Sequence, residues 1–358
     1  MIARNLPRDM QAVGRARKAL TESLVAITAA AIGAWLGSFA RLPLGELIGA
    51  IAVVTALSKW GVPMRMPYPF VATVQLLLGI SVGSTVTTAM VHELADFSIL
   101  PGLLLCMTVQ VLVGYNWLRR KEKWGQVESL LSAIPGAMAA VMTVSGAEGP
   151  ASARIAFVHI VRLLALLLVV TLIAGGHADT TVPMLGSVGD YLRIVPVALV
   201  AVVAGYLLER LSVPAPYMLT GLVCAAALNI GMPQADLRVP APLAMVALVL
   251  LGGLIGIRLR DITLPEVLRY ARAGLVVTSL TFCATLLVAF AASRLSGKPF
   301  LALFMSWVPG GVEVMTAAAL LLKLDPAFVM LNHVLRMSII HVAPALLPRR
   351  LLQENPGS

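Results

Sequence analysis

Two histidine–arginine pairs recur with the same spacing inside long apolar segments. His159 and Arg162 lie three residues apart, as do His333 and Arg336, and residues at this spacing share one face of a helix. An arginine at the centre of a bilayer costs about 2.5–3.5 kcal/mol on insertion scales, so such residues are candidates for function. We expect each arginine to bind an anionic group or to pair with a carboxylate. Snorkelling to the membrane surface and capping of a broken helix are the structural alternatives.

The second tract also contains an acid. Glu313 follows Pro309-Gly310-Gly311, where the first tract has Ala139. A buried carboxylate is costly unless it is paired or protonated, so we expect Arg336 as its partner. Glu313 is the predicted proton- or cation-coupling residue, with a structural ion pair as the alternative. His159 and His333 can shuttle protons near neutral pH or serve only as hydrogen-bonding groups. Further polar candidates, for binding or for packing within the bundle, are Asn332, Ser132 and Ser306.

These pairs close two tracts of matching design. Residues 132–162 and 306–336 both begin with Ser, have Pro-Gly at positions four and five, and end in His-x-x-Arg. The interval from the proline to the histidine is identical in both tracts. Upstream, 77–83 matches 251–256 and 42–50 matches 213–221, in the same order. This pattern predicts a tandem duplication, with membrane repeats at 20–176 and 191–347.

The composition requires a membrane. Apolar residues make up 59% of the chain and charged residues 12%, whereas a soluble domain needs about 25% charged residues. The remaining pieces are a basic cytoplasmic N-terminal segment (1–19), a periplasmic linker (177–190) and a cytoplasmic tail (348–358). Apolar segments of near bilayer length lie at 20–40, 44–58, 69–90, 97–117, 126–146, 154–175, 191–208, 216–230, 241–257, 273–293, 299–322 and 326–347.

The basic residues decide the orientation. The net charge of +10 is typical of basic cytoplasmic loops and does not indicate nucleic acid. If all twelve segments crossed, the basic loops 118–124 and 258–272 would lie on opposite sides. If 126–146 and 299–322 are re-entrant hairpins, 19 Lys and Arg residues lie inside and six outside. We therefore predict an all-α polytopic membrane protein with two inverted-topology repeats, each of five transmembrane helices plus one Pro-Gly-broken re-entrant hairpin. Both termini are then cytoplasmic.

The hairpins indicate transport. The predicted breaks are Pro135-Gly136 and Pro309-Gly310-Gly311, because proline lacks an N–H and glycine permits a turn. The helix after each break points its free N–H groups and positive dipole end at the membrane centre. Inverted repeats with broken helices are typical of secondary transporters. The sequence thus predicts transport of a small polar or anionic solute, coupled to H⁺ or Na⁺, at the crossing of the two hairpins.

The tract Pro-Gly-Gly…Glu…Asp-Pro-Ala-Phe-Val…His…Arg resembles the membrane AbrB-duplication family, whose members are also labelled ammonia monooxygenases or regulators. The resemblance covers nearly the whole chain and implies two copies of a hydrophobic unit, each with a Pro-Gly motif and a distal basic residue. The first copy departs from the pattern at Ala137 and Ala139, so a two-fold site would be chemically asymmetric. The labels add two alternatives, namely a membrane-bound regulator of gene expression and, less favoured, a membrane oxidase.

The motifs indicate no enzyme. The sequence has no phosphate loop of the Gly-x-x-x-x-Gly-Lys-Ser/Thr type, and its cysteines lack metal-ligand spacing. We expect no cofactor and no metal. The expected partners are the lipid bilayer and a small-molecule or ion substrate, without nucleic acid, and the sequence leaves a homodimer open.

Overall fold

The computed structural model describes residues 8–39, 45–86, 88, 100–134, 150–174, 187–211, 213, 215–232, 237–260 and 264–346. Across these ranges the regular structure is helical and includes no strand. The described helices are α1 Arg8–Ser38, α2 Gly45–Lys59, α3 Tyr68–Gly83, α4 Leu100–Arg120, α5 Gln126–Ala133, α6 Pro150–Ala174, α7 Val188–Arg210, α8 Pro216–Gly231, α9 Ala241–Arg258, α10 Leu264–Ser296, α11 Phe300–Trp307, α12 Val312–Leu321 and α13 Pro326–Leu346.

Four of these helices are long and apolar enough to cross a membrane. They are 16–38 of α1, the whole of α4 and α7, and 270–296 of α10. Their outward faces are apolar: Leu199 and Val203 on α7 each expose 64% of their surface, as expected for residues that face lipid. The described part of the chain is therefore all-α and contains four candidate membrane spans. The predicted ten full crossings stay a prediction, because α2 has 15 residues and α3 and α8 have 16 each, fewer than the roughly 20 of a typical span.

Two helices extend beyond their predicted apolar segments. Helix α1 begins at Arg8, so most of the basic N-terminal segment is helical and continues directly into the first apolar segment. An ion pair between Lys18 and Glu22, 3.9 Å apart and one turn along the helix, lies at this junction. Helix α10 begins at Leu264 rather than near 273, because Pro265 is tolerated in the first turn of a helix.

The predicted helix break in segment 299–322 is present. Helix α11 ends at Trp307 and α12 begins at Val312. Val308 has φ −59° and ψ 141°, the extended conformation that a following proline imposes. In segment 126–146, α5 ends at Ala133 and Ile134 is likewise extended, with φ −66° and ψ 122°. Pro135 and Gly136 themselves lie outside the described residues.

Glycines set the closest helix contacts. A Cβ atom at Gly79 would lie 2.2 Å from the carbonyl oxygen of Met218, so α3 and α8 approach to backbone contact. A Cβ at Gly252 would lie 2.6 Å from Ala50 Cβ, which joins α9 to α2. Small residues permit such close helix packing in membranes. Gly79 and Gly252, which lie in the matching upstream stretches 77–83 and 251–256, therefore act in packing.

The α11–α12–α13 unit lies at the centre of the largest buried cluster. Met305, Trp307, Met315 and Met330 are fully buried there. In addition to α13, helix α12 contacts α3 and α6 from the first half of the chain and α9 from the second. The second break is therefore enclosed by helices from both halves of the chain.

Candidate functional site

Arg336 caps the break between α11 and α12. Its Nη1 donates to the carbonyl of Val308 at 2.7 Å, and its Nη2 donates to the carbonyl of Gly310 at 2.6 Å. The side chain is fully buried. A helix end leaves its last carbonyls without intrahelical partners, and Pro309 prevents the next turn from forming. The guanidinium replaces those missing donors, so one role of Arg336 is the structural alternative that the sequence left open.

His333 completes this cap one turn earlier on α13. Its Nε2 donates to the carbonyl of Met305 at 2.9 Å, and this contact assigns the proton to Nε2 because a carbonyl can only accept. His333 is fully buried, and its Nδ1 has no hydrogen-bond partner within the described part of the chain. The observed contact of His333 is therefore that of a hydrogen-bonding group, the structural alternative to a proton shuttle.

Arg162 and His159 make the matching contacts at the first break. His159 Nε2 donates to the carbonyl of Leu131 at 3.2 Å, and Arg162 Nη2 reaches the carbonyl of Ile134 at 3.4 Å. Leu131 and Ile134 are the counterparts of Met305 and Val308, at the same offset that separates the two arginines. Arg162 Nη2 also donates to His159 Nδ1. Each tract thus places its histidine and arginine on the carbonyls just before its proline.

The two arginines differ in how far their donors are used. Arg336 places both terminal nitrogens on backbone carbonyls at short distances. Arg162 is 2% exposed, and its Nη1 has no partner among the described residues. Arg336 Nε also lacks a partner among these residues, so the two side chains differ at their terminal nitrogens: Nη1 of Arg162 is available, whereas both Nη atoms of Arg336 are occupied.

Three further side chains fix the second break. Gln110 Nε2 on α4 donates to the carbonyl of Trp307 at 3.0 Å and to Thr285 Oγ1 at 2.8 Å. Trp307 Nε1 donates to Asn332 Oδ1 at 3.3 Å, and Asn332 Nδ2 donates to the carbonyl of Phe328 at 2.9 Å. Asn332, a predicted site residue, thus holds the end of α11. Sequence reasoning missed Gln110, whose signal was a buried amide in the middle of an apolar segment.

Ser132 and Ser306 occupy equivalent positions of the two tracts, in the last turns of α5 and α11. Both are fully buried, and neither hydroxyl oxygen has a partner in the parts of the chain described here. Thr316 on α12 has the same properties. Buried hydroxyls without partners carry a free-energy cost, and they leave hydrogen-bonding capacity close to both breaks.

The two breaks belong to one region. Both guanidinium groups are buried, and Arg336 bonds the carbonyl of Gly310 in the second break. A Cβ at Gly310 would lie 2.5 Å from Leu166 Cδ2, one turn beyond Arg162 on α6. None of the ion pairs between described residues includes either arginine. The region therefore concentrates positive charge inside the protein.

Each of the two tracts also has a cation–π contact at equivalent positions. The position that holds the cation in one tract holds the aromatic ring in the other. At the first unit the Arg154 guanidinium lies 5.6 Å from the Trp124 ring centroid, and it pairs with Glu128 at 3.1 Å. At the second, Lys298 Nζ lies 5.7 Å from the Phe328 ring centroid. Trp124 corresponds to Lys298 and Arg154 to Phe328, again at the offset between the two arginines of the breaks. We call these contacts the two clasps.

Two predicted residues of the second break, Gly311 and Glu313, lie at the start of α12. Gly311 is the N-cap of α12, with φ −75° and no side-chain cap. The backbone of Glu313 lies in the first turn of α12, but its side chain, and hence the proposed pair with Arg336, is outside the described part. Within the described residues no group of three His, Cys, Asp or Glu side chains could hold a metal ion.

Over the ranges that the structure describes, the fold is that of a helical protein with four candidate membrane spans and two arginine-capped helix ends. The family model described as "Transition state regulatory protein AbrB" matches residues 3–101 and 47–351. The chain belongs to this AbrB family, as its sequence resemblance predicted.

Two relatives are similar over most of their length. The protein YhjN of Bacillus subtilis (strain 168) is 24% identical over 376 residues, covering 94% of this chain and 95% of the relative. "Putative regulator AbrB" of Escherichia coli (strain K12) is 25% identical over 323 residues, covering 86% and 90%. No solved structure matches the chain significantly.

Proposed function

We propose that this protein is a secondary transporter for a small polar or anionic solute. The observation that carries the proposal is the pair of buried arginines at two helix ends, which are linked by the close approach of Gly310 to Leu166 on α6. Buried charge in a membrane protein is costly and usually marks a substrate or ion pathway. Helix ends that meet inside the bilayer are the sites that secondary transporters use. Lipid, a solute and a coupling ion are the proposed partners, and no catalytic role is assigned.

The proposed architecture is two inverted repeats with a re-entrant hairpin in each. Counterpart helices of the two halves make equivalent contacts. Helix α3 packs on α8, and its counterpart α9 packs on α2, the counterpart of α8. In the same way α1 contacts α9, and its counterpart α7 contacts α3. The break contacts of the histidines, the arginines and the clasps all share one sequence offset. Such an arrangement is expected when two copies of one unit are related by an approximate two-fold axis. The charge distribution supports opposite insertion of the copies, with both termini cytoplasmic in the inner membrane.

The proposed coupling residue is Glu313. It occupies the first turn of α12, where the first copy has no acid, and a carboxylate there can bind H⁺ or Na⁺. Purified protein reconstituted in liposomes should show solute-dependent current on a solid-supported membrane, screened with organic acids and amino acids under H⁺ or Na⁺ gradients. Glu313→Gln should remove the dependence on the ion gradient. Glu22→Gln, in the surface pair with Lys18, is the matched control and should leave it intact.

Two outcomes would contradict this proposal. Wild-type protein that gives no solute-dependent current under either gradient would contradict transport. Current that keeps its ion dependence in Glu313→Gln would leave transport in place but remove Glu313 as the coupling residue.

The alternative is a membrane-bound regulator of gene expression, which the name of the Escherichia coli relative favours. Regulation through a partner needs a cytoplasmic docking surface, and the basic start of α1 offers one. Because the candidate span of α1 begins at Ala16, deleting residues 1–15 removes that surface and keeps the span. Regulation that is lost while the protein remains folded and transport-active would support this alternative. A membrane oxidase is a third alternative, and stoichiometric copper or iron in the purified protein would favour it.

A further inference from the structure

We infer that Arg162 is the anion-binding arginine of the central region, that Arg336 is a positioning residue, and that the ligand is an organic monoanion bound through a carboxylate group. The inference rests on the proposed function for its physiological meaning and deepens it by naming the substrate class. It assigns different tasks to two residues that the sequence makes equivalent.

The first argument is the use of the donors. The short bonds of Arg336 to Val308 and Gly310 occupy both its terminal nitrogens and leave only its Nε without a partner in the described structure. A ligand could take this fork only by leaving two buried carbonyls without donors, which is unfavourable. Arg162 spends Nη2 on a long 3.4 Å contact and on His159, and its Nη1 has no partner within the described structure. A carboxylate can therefore bind Arg162 without dismantling the break.

The second argument is the neighbouring helix end. Helix α12 has ten residues and begins after Gly311, which provides no side-chain cap. The first N–H groups of a helix lack intrahelical partners and attract anions. The contact between Gly310 and Leu166 places this end against α6, one turn from Arg162. The buried guanidinium and the helix N-terminus thus both offer N–H donors and positive charge to one ligand.

The third argument is the charge of the ligand. Arg162 and Arg336 are both buried and lie on either side of the contact between Gly310 and Leu166, and an anion bound there offsets their like charges. Glu313, whose backbone lies in the first turn of α12, reduces the formal charge of the three residues to one positive charge when its carboxylate is ionised and carries no coupling ion. A monoanion balances this sum, whereas a divalent anion leaves net negative charge in the protein interior.

The surroundings favour a carboxylate attached to an apolar body. Leu166 on α6 and Val312 and Met315 on α12 are almost completely buried beside the second break. Ser306 and Thr316 add buried hydroxyls without partners in the described structure, which can donate to a second oxygen of the ligand. Guanidinium and carboxylate groups match in geometry, so a bidentate contact becomes available once the ligand approaches Nη1.

Binding to purified protein in detergent tests this assignment. The probes are sodium acetate, lactate and benzoate, with acetamide, lactamide and benzamide as neutral controls and sulfate as the divalent control, measured by calorimetry. We expect at least one carboxylate to bind, with little binding of the amides or sulfate. Arg162→Gln should weaken that binding by about 10–100-fold, the range of a lost charged hydrogen bond. Arg162→Lys keeps the charge but loses the forked pair of terminal nitrogens, so its affinity should lie between those of wild type and Arg162→Gln.

Arg336→Lys provides the matched comparison. It should bind the same carboxylate within about threefold of wild type and melt at a lower temperature, because its role is to hold the break. Equal loss of affinity in Arg336→Lys and Arg162→Lys would overturn the division of roles. Unchanged affinity in Arg162→Gln, binding of sulfate in preference to every carboxylate, or no binding of any probe to wild type would overturn the inference.

A parallel flux measurement with radiolabelled probe separates the inference from the proposed function. Specific binding that Arg162→Gln abolishes, in a wild-type protein that moves no solute, would support the site and contradict transport. Carboxylate flux that persists in Arg162→Gln would support transport and contradict the site.

Discussion

Replacing Gly79 with alanine tests how closely α3 and α8 approach. The new Cβ would lie 2.2 Å from the carbonyl oxygen of Met218, which is backbone and cannot rotate away. Restoring an ordinary contact of about 3.4 Å requires the helices to separate by roughly 1 Å, and forced overpacking of this kind costs about 1–3 kcal/mol. Alanine also gains up to about 1 kcal/mol of helix propensity over glycine. The comparison therefore needs a control glycine at which an added Cβ contacts no other atom.

Gly231, at the end of α8, is that control, because a Cβ there meets no atom within 4 Å. Gly252 is an intermediate case: its Cβ would meet Ala50 Cβ at 2.6 Å and the carbonyl of Leu47 at 3.0 Å. We expect stability in the order Gly231→Ala, then Gly252→Ala, then Gly79→Ala, with the extremes about 1–3 kcal/mol apart.

Reversible unfolding in mixed detergent micelles, followed by circular dichroism, measures this order. Because α3 also contacts α12, Gly79→Ala should further weaken carboxylate binding at the central region. If Gly79→Ala and Gly231→Ala are equally stable, then α3 and α8 do not meet at backbone contact and the reasoning is refuted.

Three further substitutions address the helix breaks and one clasp. Arg336→Lys should destabilise the protein by about 1–3 kcal/mol more than Arg162→Lys, since it loses a short charged bond rather than a long one; equal melting temperatures would contradict this. Gln110→Met should cost about 1–3 kcal/mol by leaving the last carbonyl of α11 without its donor. Asn116→Met is its control, because this amide is exposed and bonds only its own helix. Arg154→Gln should cost about 1–2 kcal/mol, from one partly exposed ion pair with Glu128 and two cation–π contacts, with Trp124 and Tyr270, and high salt should reduce the difference from wild type.

Much of the fold follows from local chemistry. The apolar segments predicted helices because lipid cannot satisfy backbone N–H and C=O groups. The interruption at Pro309 followed from its missing N–H. Boundaries were less certain: nothing in the sequence marks Arg8 as a helix start, since a basic helix and a basic coil have similar compositions. The family was also evident from the motifs, because Pro-Gly and His-x-x-Arg recur with identical spacing.

The sequence by itself determined a membrane-embedded helical chain with two matching His-x-x-Arg tracts, because hydropathy and spacing are properties of the chain alone. Only the tertiary structure decided what those arginines touch. It placed Arg336 on the carbonyls of Val308 and Gly310 and left Nη1 of Arg162 without a described partner. The physical reason is that hydrogen-bond partners of a buried side chain come from distant segments: α5 and α6, like α11 and α13, meet only after folding. Equivalent positions in sequence therefore became unequal in chemistry once their surroundings were fixed.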